Sequence, residues 1–262
     1  MQDLKVTLIQ SKLHWQEIDA NLAMFEEKIW SIKDQPDIII LPEMFSTGFT
    51  MEARKLAEPP NSKTYRWMAQ MAAQTKALII GSCIIKDGTS FYNRLHAVRP
   101  DTKYQYYDKR HLFRMAEEHN HFSPGKEKVI IEWKGWKILP LVCYDLRFPV
   151  WSRNISKGSG HQYDTSIFVA NWPAARVSAW DTLLRARAIE NLSYTIGVNR
   201  VGEDGNQVMY NGHSAVYGPK GDSLSSMEDK EEIQTISISY DDLESYRTKF
   251  PAHFDSDGFE IK

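Results

Sequence analysis

The sequence predicts an α/β fold with mixed strand pairing. Short apolar, β-branched runs alternate with longer amphipathic ones. Hairpin-like strands between 77 and 107 and between 205 and 240 add antiparallel pairs, so a plain doubly wound sheet is not expected. The chain has 262 residues, 42% of them hydrophobic and 25% charged, which suffices for a sizeable core. It carries no internal repeat and no linker long enough to separate domains, so a single domain over 1–262 is expected.

"LKVTLIQ" (4–10) reads as a strand, and Asp19 is placed to cap a helix running to Lys33, with Leu22, Phe25, Ile29 and Ile32 on one face. "DIIILPE" (37–43) is an apolar strand ending at Pro42 and Glu43. A helix over 63–75 precedes the strand "ALIIGSCII" (77–85), and "FYNRLHAV" (91–98) and "KYQYYDK" (103–109) are further strands. "WKILPLVCYD" (136–145) is another, after which Phe148-Pro149 opens a helix, proline suiting a first turn. "DTSIFVAN" (164–171) and "SYTIGVNR" (193–200) flank the helix "RVSAWDTLLRARAIEN" (176–191). That helix turns Val177, Trp180, Leu184 and Ile189 to the core and its arginines to solvent or an interface. Gly202, Gly205, Gly212, Gly218 and Gly221 mark turns between short strands ending near 233–240, and Asp241 caps a last short helix.

Net charge is −2, which advertises no basic surface for nucleic acid. No run approaches the roughly 20 apolar residues of a membrane span, and Met1-Gln2-Asp3 does not open a secretory signal. Cys83 and Cys143 are too few for a disulfide framework, so free thiols in a reducing cytoplasm are expected.

In α/β sheets ligands bind beyond the carboxyl ends of strands. Three polar residues interrupt apolar runs there: Glu43, Lys109 and Cys143. A free cysteine is commonly a small buried hydrophobe, and Cys83 inside "IIGSCIIK" reads that way. Cys143 instead lies between a strand end and a helix start, where the helix's positive end favours thiolate. Glu43 leaves Pro42 at a defined angle and could accept a thiol proton. Lys109 alone reads as a solvated charge, but "RHLF" after it suggests a segment turning inward, with His111 orienting the loop, and a buried ammonium suits thiolate and oxyanion alike.

Taken together and in order, "LPEMFSTGF" (41–49), "YDKRHLF" (107–113) and "LVCYDLRFPVWSR" (141–153) resemble the glutamate, lysine and cysteine motifs of the nitrilase, or carbon–nitrogen hydrolase, superfamily. "FVANWPAAR" (168–176) and "RARAIEN" (185–191) match two further family segments. "MFSTGFTM", "KRHLFRMAEEH" and "FPAHFDSDGF" look most like the bacterial omega-amidase branch. The resemblance implies a nitrilase-type four-layer α-β-β-α sandwich with two mixed sheets. It implies a homodimer, partly through the "FPVWSR" and "RVSAWDTLLRARAIE" helices. It further implies hydrolysis of a small-molecule amide, the omega-amide of 2-oxoglutaramate or a similar 2-oxo acid, through a cysteine thioester without metal or organic cofactor.

On that resemblance Cys143 is the nucleophile, Glu43 the proton carrier, and Lys109 with the backbone N–H of Tyr144 the oxyanion site. Glu117 and Glu118 compete as an assisting glutamate, and Glu118, five positions before "SPG", is preferred. Arg114, Arg147 and Arg176 are unranked candidates for the substrate carboxylate, because arginine pairs with it in a forked geometry. Phe45, Tyr144 and Trp172 are expected to line the pocket, and whether 114–122 closes over it as a lid stays open. Rival readings are an amidase or N-carbamoyl hydrolase on another small acid, and a catalytically silent binding subunit. "HNH" (119–121) lacks a second ligand cluster for a metal nuclease, and "GEDGN" (202–206) lacks the phosphate-binding pattern.

Overall fold

Isoleucine, valine and leucine fill the central strands, where branched side chains pack well on a pleated surface. The computed structural model describes residues 1–157 and 160–261. The first half runs β1 (Leu4–Gln10), α1 (Ile18–Trp30), β2 (Ile38–Ile40), α2 (Ala53–Leu56), α3 (Lys63–Thr75), β3 (Leu78–Asp87), β4 (Ser90–Val98) and β5 (Tyr104–Asp108). Then come α4 (Glu118–His121), β6 (Ile131–Trp133), β7 (Trp136–Val142), α5 (Pro149–Ser152), β8 (Ser156–Lys157) and β9 (Gly160–His161). The rest is β10 (Thr165–Val169), α6 (Val177–Asn191), β11 (Tyr194–Val198), β12 (Val201–Glu203), β13 (Met209–Asn211), β14 (Ala215–Tyr217), β15 (Ser223–Ser226), β16 (Glu232–Ile238) and α7 (Tyr240–Lys249).

Among the described residues, two six-stranded sheets form, ordered β16-β1-β2-β3-β4-β5 and β15-β14-β11-β10-β7-β6. Each is mixed: β1, β2 and β3 pair in parallel, as do β7, β10 and β11, with antiparallel strands at the flanks. Side chains alternate across each strand. Val6, Leu8, Ile38, Ile40, Leu78 and Ile80 therefore meet residues of the second sheet, such as Ile138 and Ile196, in one core. Ile9, Ile39 and Ile79 point the other way and meet Phe25 of α1 and Met68 of α3. On the far side, Trp180 and Leu184 of α6 lie so close to β11 that a Cβ at Gly197 would sit 2.4 Å from Leu184. Glycine is what permits that approach. The four layers expected from the family resemblance are thus present. No helix among the described residues is long and apolar enough to cross a membrane.

Several local expectations are corrected. Asp19 does not cap α1: Glu17 stands at the cap without a side-chain bond, and Asp19 sits in the first turn, where a negative charge meets the helix's positive end. Ser239, not Asp241, caps α7, accepting from Asp242 N. Ile189 is 47% exposed rather than core. Arg187 is buried rather than solvated: it donates to Leu146 O at 2.6 Å and pairs with Glu190 at 3.0 Å. It therefore braces the segment that follows β7. Arg187→Met should cost about 2 kcal/mol, the scale of a lost buried bond from a charged donor. Urea denaturation checks this, with a lower midpoint and an unchanged slope expected.

Candidate active site

The parallel strands of both sheets end on one side of the sandwich. Glu43 follows β2, Cys143 follows β7, Asn171 follows β10, and Lys109 follows β5. Apolar strands thus deliver polar side chains where their hydrogen-bond ladders stop. Two of these deliveries, and the placing of Glu118, use a left-handed backbone that ordinary residues seldom adopt: Met44 (φ 42°) beside Glu43, Cys143 itself (φ 42°), and Glu117 (φ 57°) beside Glu118. Such strain clusters at functional sites.

Glu43, Lys109 and Glu118 are at most 1% exposed. Lys109 Nζ donates to Glu43 Oε1 at 2.9 Å and to Glu118 Oε2 at 2.9 Å. Asn171 N donates to Glu43 Oε2 at 2.8 Å, and the Asn171 side chain donates to the Glu43 carbonyl. Asn93 Nδ2 reaches Glu43 Oε1 at 2.7 Å, and Phe113 N reaches Glu118 Oε2 at 2.6 Å. Cys143 Sγ lies 3.9 Å from Asn171 O, and Glu43, Lys109 and Glu118 all act on it electrostatically.

Burial disfavours the charge on Lys109, but Glu118 and Glu43 outweigh it and lift the lysine above its ordinary range. Burial likewise pushes Glu118 up, with Lys109 opposing and Glu43 reinforcing the shift. Burial and the neighbouring Glu43 push the Cys143 thiol well above its usual value, against Lys109. This corrects the expectation that a helix end favours thiolate. A 3₁₀ turn over Cys143–Arg147 separates the sulfur from α5, which is a single turn. The resting cysteine is a thiol facing a base.

Behind the site, Asp145 ties the lysine loop to the cysteine turn. It accepts from Tyr107 Oη (2.8 Å), His111 N (3.0 Å) and Val142 N (3.0 Å), and His111 Nδ1 lies 2.8 Å away. His111 stacks on Phe148 with centroids 3.8 Å apart. Gly125 N donates to Lys109 O, and a Cβ there would lie 2.0 Å from the Asp108 carbonyl.

In front of the sulfur opens a cavity of about 490 Å³ reached by Lys109, Cys143, Tyr144, Trp172, Arg147 and Arg176. Arg147 lies over Trp172 at 5.0 Å and Arg176 over Phe113 at 5.5 Å. Two expected pocket residues are elsewhere. Phe45 is wholly buried behind the site, between Phe25 and Trp67, because the turn at Met44 aims it into the α1–α3 layer. Arg114 is exposed and does not line the cavity. Between the rival glutamates, Glu118 is inside and Glu117 outside. Phe113, Met115 and Ala116 form one wall of the cavity, anchored through Glu118. Asn93 and Asn171 give no sign of their roles in the sequence, and Asp145 shows there only as an acid beside the cysteine. Neutral amides carry no charge signal, although Asn171 lies inside "FVANWPAAR" and Asp145 inside "CYDLRF".

The family described as carbon-nitrogen hydrolase matches residues 5–248. "Omega-amidase YafV" of Yersinia enterocolitica is 46% identical over 260 residues, covering 99% of each chain. "2-oxoglutaramate amidase" of Bacillus subtilis (strain 168) is 28% identical over 95% of this chain and 96% of its own. Among solved structures, the CN-hydrolase superfamily protein XC1258 from Xanthomonas campestris has a TM-score of 0.98 at 43% identity, with both chains covered completely.

A thiol with a raised pKa is protonated at neutral pH and ionises only as pH rises. The ultraviolet difference spectrum between wild type and Cys143→Ala should therefore show no thiolate band at neutral pH and gain one on alkaline titration. A band at neutral pH that bleaches on acidification would refute this.

Proposed function

Because the chain belongs to the carbon–nitrogen hydrolase family, we propose that it acts as an omega-amidase through a thioester on Cys143, hydrolysing the terminal amide of 2-oxoglutaramate or a similar 2-oxo acid amide. The observation that carries the mechanism is that Lys109 and Cys143 line one cavity, with Glu43 and Glu118 buried behind it and bonded to Lys109.

Glu43 takes the thiol proton as sulfur attacks the amide carbon, and the carbonyl π electrons move to oxygen. Lys109 Nζ bonds Glu43 Oε1 at 2.9 Å and both Glu118 oxygens at 3.0 and 2.9 Å, and its positive charge at the cavity serves the oxyanion together with Tyr144 N–H. Glu43 passes its proton to nitrogen, the C–N bond breaks, and ammonia leaves. Water then gives a proton to Glu43 and attacks the thioester. The C–S bond breaks, sulfur regains the proton, and the acid departs. Glu118 holds Lys109 in place throughout.

Arg147 and Arg176 line the cavity and make no ion pair among the described residues, Arg176 touching only Met115 Sδ through Nη2, so either charge can meet a substrate carboxylate. A single domain over 1–262 is supported by the core the two sheets share. A homodimer belongs to the same proposal, supported by the exposed Val150 of α5 and Ile189 of α6 on the segments expected to pair. A cytoplasmic setting is supported by two free cysteines.

Ammonia release from 2-oxoglutaramate tests the function. Cys143→Ala should give background only, and Glu43→Gln should lose about 10²–10⁴-fold in kcat. Equal ammonia from wild type and Cys143→Ala would refute the mechanism. Glutamine, asparagine, succinamate and N-carbamoyl amino acids as alternative substrates should each be poorer than 2-oxoglutaramate; a better one would move the substrate assignment. Arg147→Gln and Arg176→Gln should raise KM by about tenfold or more, the scale of a lost charged bond. Unchanged KM in both would remove the carboxylate assignment.

A further inference from the structure

Asn93 stands in β4 and is 1% exposed. Its Nδ2 donates to Glu43 Oε1 at 2.7 Å and to Glu118 Oε1 at 3.4 Å. Its backbone carbonyl accepts from Lys109 N at 3.0 Å. One side chain and its own backbone thus touch both buried carboxylates and the strand end that carries the lysine. The register explains this: Arg94 pairs with Asp108, so Asn93 falls beside Lys109.

Charge fixes the orientation of the carboxamide. The flipped amide would aim its oxygen at two carboxylates. In the observed orientation Oδ1 is buried and finds no hydrogen-bond partner, an unrecovered desolvation. The group is held for what its nitrogen does.

Two carboxylates that share one ammonium compete for a proton, and the better-bonded one keeps the charge. Asn93 bonds Glu43 closely and Glu118 at the limit of a hydrogen bond. On the amidase reading, we propose that Asn93 is a positioning residue whose carboxamide fixes Glu43 Oε1 and biases the buried negative charge toward Glu43, so that Glu43 rather than Glu118 accepts the thiol proton. The titratable groups facing it are Lys109 from the end of β5, Glu118 from α4 and Cys143 from the turn after β7. Beyond these, Tyr210 of β13 couples to Glu43.

The test compares kcat, KM and pH profiles for 2-oxoglutaramate in wild type, Asn93→Ala, Asn93→Asp and Asn93→Ser, with near-ultraviolet circular dichroism as the check of folding. Asn93 does not touch substrate, so KM should stay within about twofold while kcat falls about tenfold to a hundredfold, less than loss of the base itself. The acid limb should move up by about one pH unit, the scale of a lost charge-assisted bond. Asn93→Asp keeps the shape without the donor and should fall as far as Asn93→Ala. Asn93→Ser restores a donor and should recover some of the lost kcat. Natively folded variants with wild-type kcat and acid limb, or with raised KM and wild-type kcat, would overturn the assignment while leaving an active wild type as an amidase. No ammonia from wild type would overturn both.

Discussion

One buried ammonium holds two buried carboxylates behind the cavity. Lys109 bonds Glu43 and Glu118 at 2.9 Å each, and all three side chains lie inside the protein. Removing such charges from water costs several kcal/mol each, recovered only through close pairing and further hydrogen bonds. The further bonds are present: Asn93 and Asn171 N serve Glu43, and Phe113 N serves Glu118. Burial disfavours a thiolate at Cys143, and the nearby carboxylates add to that cost. The cysteine therefore rests as a thiol. The same arrangement sets a carboxylate near the sulfur and an ammonium on the same cavity, where an oxyanion would develop.

The scaffold makes this possible by fixing each member through a different element. Parallel strands of two sheets end together, so groups 34 and 100 positions from Cys143 (Lys109 and Glu43) meet it without long loops. Asp145 and Arg187 brace the cysteine turn from behind, one through the lysine loop and one through α6. Preorganisation of this kind means that little need rearrange when substrate arrives.

Most of the layer architecture is legible in the sequence because the hydrophobic period changes cleanly along the chain. The strand 4–10 and the helix 63–75 fall where "LKVTLIQ" and "KTYRWMAQMAAQT" place them. Short elements are hidden where no period can develop, as in the single turns α2 and α4, whereas Pro149 marks the start of α5. Helix caps are ambiguous because several acidic or hydroxyl residues stand near each start and only backbone geometry selects one. The charged members of the site announce themselves by breaking apolar strands. The positioning amides do not, since Asn93 and Asn171 look like ordinary strand and loop residues until the folded chain sets them against a carboxylate. Phe45 misleads for a related reason: proximity to Glu43 in sequence says nothing of the left-handed turn at Met44 that sends it away.

The dependence on charge compensation is open to a double-mutant cycle of urea stability with Lys109→Met, Glu118→Gln and the pair. Lys109→Met alone should cost about 3–5 kcal/mol, because it strands buried carboxylates. Adding Glu118→Gln should restore much of that loss, with a coupling of about 2 kcal/mol or more. Costs that simply add, to within about 0.5 kcal/mol, would contradict the claim that the lysine's partner charges are what it is there to hold.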